Sequence, residues 1–186
     1  MNASRLIRKL AFALLVLSPM QAVAGQVSPQ VATSIRPVQA LVYAVTGTNN
    51  LPDVLLPPGT SPHAFALKPS QAQILQDAEI IFWVGPSLET ALQGALQNLG
   101  AKARVVQLID TPGLDLLHYE TEAHQDHDHG PVDPHVWLSP ANAAVLIDRI
   151  QSELTTVAPQ HAAIYAKNAK VAKNRLKLLE IGRAHV

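Results

Sequence analysis

Short runs of Val, Ile and Leu alternate with segments of helical spacing along this sequence, and that alternation restricts the fold more than any other feature. The runs DVLLPPG, IIFWVG and ARVVQLI are each bounded by Gly, Pro or charged residues, which is typical of buried parallel strands, and a further strand is predicted near VATSIR. Helical segments lie between these runs. This order predicts an α/β fold: an open parallel sheet with helices on both faces and right-handed crossovers.

Residues that start or stop helices mark the boundaries of three helices between the strands. The segment VQALVYAVTG should end at Gly47, and PSQAQILQDA should begin at Pro69. In SLETALQGALQNLG, Ser87 is the predicted N-cap and Gly100 the predicted stop. Two more helices are expected further along the chain. One begins with the cap Ser139 and covers the sheet, and a long one follows near residue 159.

Composition narrows the chemistry that is open to the chain. It has 186 residues, 48% of them hydrophobic, which allows one domain of ordinary size. No cysteine is present, so disulfides, thiolate zinc sites and Cys nucleophiles are excluded, and His and carboxylate remain as metal ligands. Fourteen Lys and Arg balance fourteen Asp and Glu without a basic stripe, so no nucleic-acid partner is expected.

The N-terminus has the pattern of a secretory signal peptide. Basic residues in MNASRLIRKL precede the apolar run AFALLVL, and Ala22 and Ala24 form an A-x-A cleavage site. A transmembrane anchor is the alternative, but the run is well short of the roughly 20 residues that span a bilayer. We therefore expect residues 1–24 to be removed after Ala24 and the protein to be exported to a bacterial periplasm.

The last six residues, IGRAHV, follow a charged helical pattern without a cap or a turn. They match the translation of a common sequencing-adapter sequence, in which a stop codon comes next. We expect residues 181–186 to be foreign and the chain to be the front part of a longer protein, so His185 is not a predicted ligand. A natural basic tail is the alternative.

Two histidines are expected to meet at one edge of the sheet. His63 follows the run DVLLPPG, and His135 follows the last strand through a longer loop. The carboxyl ends of parallel strands meet at one edge, where ligands of open α/β sheets bind. Each histidine follows a proline that restricts its backbone, and Asp133 could accept a hydrogen bond from an imidazole N–H. The sequence thus favours a metal site at His63 and His135, with solvated loop histidines as the alternative.

Three segments of the sequence are specific: PGTSPH, LKPSQAQILQDA behind it, and DPHVWLSP. Together with their order along the chain, they resemble the ZnuA-type zinc-binding periplasmic proteins of bacterial metal ABC importers. The resemblance implies two α/β lobes joined by a long helix, with the metal between them and His63 and His135 as ligands of the first lobe. Residues 25–158 would be that lobe, and residues 159–180 the start of the long helix. Further ligands, typically a third His and in some members an acidic group, would come from a second lobe that this sequence lacks.

The segment HQDHDHG, in a predicted loop over residues 118–131, resembles the His-rich loop of the zinc-selective members. Several interchangeable imidazoles can capture Zn²⁺, but a segment without fixed geometry cannot make a closed tetrahedral site. Weak auxiliary metal capture is therefore expected at five side chains: His124, Asp126, His127, Asp128 and His129. The alternative is a hydrophilic loop with adventitious affinity, and His118 and His161 are assigned to structure or solvent.

Three functions are compatible with the sequence. The favoured one is a monomeric periplasmic solute-binding protein, not an enzyme, that captures Zn²⁺ and delivers it to an ABC permease. The same role for Mn²⁺ or Fe²⁺ is an alternative, for which more carboxylate ligation would be expected. A secreted metallohydrolase would need an open coordination position and a general base, and no H-E-x-x-H motif occurs.

Overall fold

The structure is a computed structural model of the chain. It describes residues 28–47, 51–63, 66–118 and 132–183. Of residues 181–183, only the backbone is described. The predicted signal peptide and the three histidines of the segment HQDHDHG lie outside the described residues.

Four strands form one parallel sheet. They are β1 (Val31–Thr33), β2 (Asp53–Val54), β3 (Ile80–Trp83) and β4 (Arg104–Gln107). Their order in the sheet is β2-β1-β3-β4, and every neighbouring pair is parallel. This confirms the predicted parallel sheet and places β1 and β3 at its centre.

Five α-helices accompany the sheet. They are α1 (Arg36–Thr46), α2 (Pro69–Asp77), α3 (Thr90–Leu99), α4 (Pro140–Val157) and α5 (Ala162–Arg183). Helices α1, α4 and α5 pack against one another, while α2 packs against α3. The strand order explains this grouping. The chain moves across the sheet in one direction from β1 to β2 and in the opposite direction from β2 through β3 to β4, so right-handed crossovers put α1 on one face and α2 and α3 on the other. The predicted α/β class is therefore confirmed.

The core lies between the central strands and these helices. All four residues of β3 are buried, and α1 and α4 turn apolar residues three or four positions apart toward the sheet. The residues of α1 and α4 that are buried most completely are Val38, Val42, Val45, Leu146, Ile147, Ile150 and Leu154. This packing fixes the sheet as the rigid base from which the loops emerge.

The outer strands are less buried than the sequence predicted. Arg104 and Val105 of β4 are exposed, as is Asp53 of β2, because each of these strands has a neighbour on one side only. The guanidinium of Arg104 pairs with Glu153 of α4, a carboxylate that is 4% exposed and also contacts Arg149. A charged residue on β4 thereby joins the sheet edge to α4.

The predicted helix boundaries hold with one exception. Gly47 ends α1 at φ 80°, a conformation that favours glycine, and the Ser139 hydroxyl accepts a hydrogen bond from the third residue of α4. The prediction of Ser87 as N-cap of α3 was wrong. Ser87 lies in a turn in which the amides of Leu88 and Glu89 both bond to the Gly85 carbonyl, and the helix starts at Thr90.

The long helix α5 continues through residues 181–183, so it includes half of the terminal hexapeptide, whose predicted foreign origin stays untested. Within the described part of the chain, no helix combines the length and the apolar character needed to cross a membrane.

Candidate metal site

The chain topology creates a crevice at the carboxyl edge of the sheet. The connection after β1 leads outward to β2, whereas the connection after β3 leads to the opposite side, to β4. Ligands of open α/β sheets bind where such connections diverge. Ser34 directly follows β1 and Gly85 comes two residues after the end of β3, and both are buried.

The loop that carries His63 leaves the same edge of the sheet. Leu55 and Leu56 extend the pairing of β2, because their amides donate hydrogen bonds to the carbonyls of Thr33 and Ser34. The chain then passes through a proline-rich turn to His63, whose side chain is exposed. Pairing beyond the end of β2 therefore anchors the start of this loop to the central strand β1.

The backbone before α4 positions His135. Pro134 is buried beside it, and a turn of 3₁₀ helix, Val136–Leu138, leads from it to the capped start of α4. The amide of Leu138 donates a hydrogen bond to the His135 carbonyl. Asp133 Oδ1 accepts a hydrogen bond from the His135 backbone amide at 2.9 Å, so the approach to the ring is fixed on both sides.

The rings of His63 and His135 lie side by side although 71 intervening residues separate them. Their centroids are 6.4 Å apart, with an angle of 63° between the ring planes. Two imidazoles that ligate one zinc ion through nitrogens at about 2.0–2.1 Å have centroids about 5 Å apart in tetrahedral geometry. The two rings are therefore about 1 Å further apart than two imidazoles bound to one zinc ion.

Asp133 orients the imidazole of His135. Its Oδ1 lies 2.7 Å from Nδ1 of that ring. When Nδ1 donates its proton to the carboxylate, Nε2 keeps its lone pair, which is the form that binds a metal. On its other side the ring contacts Trp137, with centroids 5.3 Å apart, and a half-exposed ring between these two neighbours has few alternative orientations.

His135 separates two concave surfaces. A cleft of about 260 Å³ lies toward the proline-rich turn before His63 and is lined by Arg36, Pro62 and Trp137. A larger cavity of about 670 Å³ lies on the other side and is lined by Asp115, Asp133, Ser139 and Glu180. The cleft is the one that adjoins the His63 loop, so a metal between the two rings would border it.

The described residues contain no group of three or more His, Cys, Asp or Glu side chains arranged to hold a metal ion. Of the other predicted ligands, His124, Asp126, His127, Asp128 and His129 lie outside the described residues. The site that the described chain offers is thus a pair of imidazoles with one orienting carboxylate.

The two histidines assigned to structure or solvent lie elsewhere. The exposed His118 forms a β-bridge with Val132, which joins the two ends of the undescribed loop. His161 packs against Tyr165 with ring centroids 5.7 Å apart. Both are kept out of the candidate site, which consists of His63, His135 and Asp133.

Sequence reasoning missed a buried carboxyl group at this edge of the sheet. Glu89 is 1% exposed, and its Oε2 accepts a hydrogen bond from the Gly85 amide at 2.9 Å. Burial raises the pKa of Glu89 to about 7, against hydrogen bonding from Ser34, Gly85 and Val84, which lowers it.

Gly85 explains why the Glu89 carboxyl can fit there. Gly85 has φ 151°, and a Cβ at this position would lie 2.9 Å from the Ile109 side chain. The turn can therefore close only around glycine, and it directs the Gly85 amide to the Glu89 carboxylate. A Gly four residues before a Glu in a predicted helix start was the available signal, but it does not show that the carboxyl is buried.

Two amide side chains were also missed, namely Gln71 and Asn142, at the third positions of α2 and α4. Both are buried and bond to the loops that carry the histidines. A proline followed two residues later by Gln or Asn occurs in each helix start, and this pattern could have drawn attention to them. Their bonding partners, however, depend on tertiary structure.

Comparison with known proteins identifies a matching family and similar sequences. The family described as zinc-uptake complex component A, periplasmic (ZnuA) matches residues 31–181. The high-affinity zinc uptake system protein ZnuA of Paracoccus denitrificans is 35% identical over 179 residues, which covers 82% of this chain and 55% of that protein. The protein of the same name from Brucella abortus is 33% identical, covering 80% and 55%. The chain thus spans about half the length of the curated relatives it matches.

Solved structures share the fold. The Zn(II)-bound ZnuA-like domain of AdcA from Streptococcus pneumoniae matches with a TM-score of 0.70 at 26% identity, covering 86% of this chain and 55% of that chain. A Mn-bound periplasmic metal binding protein from Candidatus Liberibacter asiaticus matches with a TM-score of 0.68 at 22% identity, covering 79% and 52%. The second likeness shows the fold alone.

We expect Glu89 to make stability depend on pH. Above about pH 4.5 the unfolded chain loses the Glu89 proton, whereas the folded chain keeps it up to about pH 7. The free energy of unfolding therefore falls as the pH rises through this range. Across this window wild type should lose up to about 3 kcal/mol of unfolding free energy relative to Glu89→Gln. Urea denaturation at several pH values measures the difference.

The control for this experiment is Glu79→Gln, which replaces an exposed carboxylate that accepts a hydrogen bond from the Gln30 amide. That variant should follow the wild-type pH profile. A Glu89→Gln profile parallel to that of wild type from pH 4.5 to 7.5 would contradict the raised pKa.

Proposed function

The chain belongs to the ZnuA family of periplasmic zinc-uptake components, and on that premise we propose that it is a solute-binding protein that captures Zn²⁺ for delivery to an ABC permease. The observation that carries the proposal is the juxtaposition of the His63 and His135 rings at 6.4 Å. In this role the chain catalyses no reaction. It binds the ion as cargo, acts as a monomer and releases the ion at the membrane.

The donor set supports zinc as the cargo. Imidazole is a good ligand for Zn²⁺, whereas Mn²⁺ favours carboxylate and water oxygens. The candidate ligands are the imidazoles of His63 and His135, and Asp133 bonds to Nδ1 of His135 as an orienting group. The curated relatives are named for high-affinity zinc uptake. Manganese or iron remains the second candidate cargo, for which more carboxylate ligation would be expected.

The metallohydrolase alternative has no support. The family to which the chain belongs comprises zinc-uptake components, and the Asp133 carboxylate is engaged by the His135 amide and ring. A general base would instead need to reach a metal-bound water.

Two imidazoles are half of the four ligands that zinc usually has in proteins. We propose that residues 25–158 form the first lobe and residues 159–180 the start of the helix that leads to a second lobe. The remaining ligands would come from that lobe, within the half of the relatives' length that this chain does not span. Zinc binding by the 186-residue chain should accordingly be weak, because the site is open to water.

The His-rich loop serves, in this proposal, as an auxiliary collector of zinc. Support comes from the residues on either side of it: the His118–Val132 bridge and a 2.8 Å hydrogen bond from the Asp133 amide to the Leu117 carbonyl hold its ends together. The loop therefore starts and ends within a few residues of His135. Zinc held weakly there would be kept at a high local concentration beside the candidate site.

Replacing either ring of the pair should weaken zinc binding by at least about tenfold, because the remaining donors cannot substitute for an imidazole nitrogen about 2.0–2.1 Å from the metal. The variants are His63→Ala and His135→Ala. Competition titration against a chromogenic chelator gives the affinity and the number of ions bound. Replacing His124, His127 and His129 together should reduce the number of weakly bound ions and leave the tightest site intact.

His161→Ala is the matched control, since it removes an imidazole that packs on Tyr165 away from the pair. This variant should change neither the zinc affinity nor the number of ions bound. The assignment fails if the triple variant loses the tightest site while His135→Ala keeps it.

Export should leave Gly25 as the first residue of the mature protein. Signal peptidase requires small residues at Ala22 and Ala24, so Ala24→Leu should leave the precursor uncleaved, while the same change at Val23 should not. N-terminal sequencing of periplasmic and membrane fractions tests this. A wild-type chain that starts at Met1 in the membrane fraction would contradict it.

A further inference from the structure

Two buried side-chain amides occupy equivalent places in the fold. Helices α2 and α4 each begin with a proline, and each has an amide residue at its third position, Gln71 in α2 and Asn142 in α4. These residues are 6% and 4% exposed. A buried amide destabilises the fold unless its donor and acceptor are both paired, so the partners of these two groups are informative.

Gln71 closes the loop that carries His63. Its Nε2 donates a hydrogen bond to the Leu55 carbonyl at 2.6 Å, and its Oε1 accepts one from the Lys68 amide at 2.6 Å. Leu55 lies before the His63 loop and Lys68 lies after it. One side chain therefore holds both ends of that loop at a fixed separation.

Asn142 holds the segment that faces His135. Its Oδ1 accepts a hydrogen bond from the Asp115 amide at 2.8 Å, and its Nδ2 donates one to the Asp115 carbonyl at 2.9 Å. This pairing with both backbone groups of one residue resembles the pairing of two strands. It fixes the segment around Asp115 to the first turn of α4.

A short series of hydrogen bonds leads from that segment to the ring of His135. Two residues after Asp115, the Leu117 carbonyl accepts a hydrogen bond from the Asp133 amide at 2.8 Å. The carboxylate of Asp133 in turn contacts the amide and Nδ1 of His135. The segment, Asp133 and the start of α4 thus form a closed arrangement around His135.

We propose that Gln71 and Asn142 are positioning residues that set the relative placement of the His63 and His135 rings. The proposal rests on the function proposed above, in that these rings bind the cargo. Neither amide acts as a ligand in this account; each fixes a loop that has little regular structure of its own. Because a binding site must hold its side chains within about 0.5 Å of the productive geometry, a loop that is free to shift would lose the site.

The first test uses the metal-free chain and does not depend on zinc. Asn142→Leu removes the amide at similar volume, and the ¹⁵N shifts of the His135 ring nitrogens report whether the proton resides on Nδ1. We expect wild type to show the Nδ1–H form and Asn142→Leu to show a mixture with Nε2–H. Gln71→Met should shift the ring resonances of His63 and leave the His135 pattern unchanged.

Asn168→Leu is the matched control. Asn168 is also a partly buried amide, and its Nδ2 donates a hydrogen bond to the Val45 carbonyl at 3.0 Å, between α5 and α1. It should lower the unfolding free energy without altering either ring. Asn142→Asp keeps the acceptor for the Asp115 amide and loses the donor, so it provides the test if Asn142→Leu does not fold.

The second test measures zinc affinity in chains whose loop residues His124, His127 and His129 are replaced by alanine. Gln71→Met and Asn142→Leu should each weaken binding about 10- to 100-fold, as for other groups that orient metal ligands. The effect of Gln71→Met should vanish when combined with His63→Ala, and that of Asn142→Leu when combined with His135→Ala. A purely structural effect would persist in these double variants.

The two proposals can fail separately. If the wild-type chain binds no zinc through His63 and His135, the proposed function fails, while a changed ring-proton pattern in Asn142→Leu or Asn142→Asp would still support positioning. The positioning proposal is overturned if the ring resonances in these variants match those of Asn168→Leu and wild type.

Discussion

Parallel pairing of the strands is the constraint on which the rest of the structure depends. Because all four strands run in the same direction, the loops that follow β1, β2 and β3 emerge at a single edge of the sheet. An antiparallel sheet would divide these loops between two edges and separate His63 from the ends of the central strands. The 6.4 Å between the two rings is therefore a consequence of strand direction combined with the return of the chain through residues 132–135 to α4.

The same edge contains the buried polar groups that the core would be expected to exclude. A buried donor or acceptor that is left unpaired costs about 1–3 kcal/mol. Glu89, Gln71 and Asn142 would therefore destabilise the fold unless their polar groups were paired. The two amides are fully paired, and each bonds to a loop that carries a histidine. Glu89 retains its proton to about pH 7 beneath the crevice. These buried polar groups indicate that this edge of the sheet holds the histidine loops in place.

The sequence predicted those parts of the structure that depend on local patterns. The alternation of apolar runs and helical spacing was sufficient for the class of fold, and the convergence of His63 and His135 followed from the rule for parallel strands. Gly47 and Ser139 were predicted correctly because helix caps are local. Ser87 was not, because a turn that closes on Gly85 and buries Glu89 delays the start of α3 by two residues. Gln71 and Asn142 could not be identified, since their partners lie up to 27 residues away in sequence.

The account centres on the claim that His63 and His135 share one metal ion. Anomalous diffraction at the zinc absorption edge, from crystals of the chain soaked in zinc, tests it directly. The strongest anomalous peak should lie between the two rings, about 2.0–2.1 Å from one nitrogen of each, with Nε2 as the ligating atom of His135. A strongest peak elsewhere, with both rings free of metal, would contradict the claim.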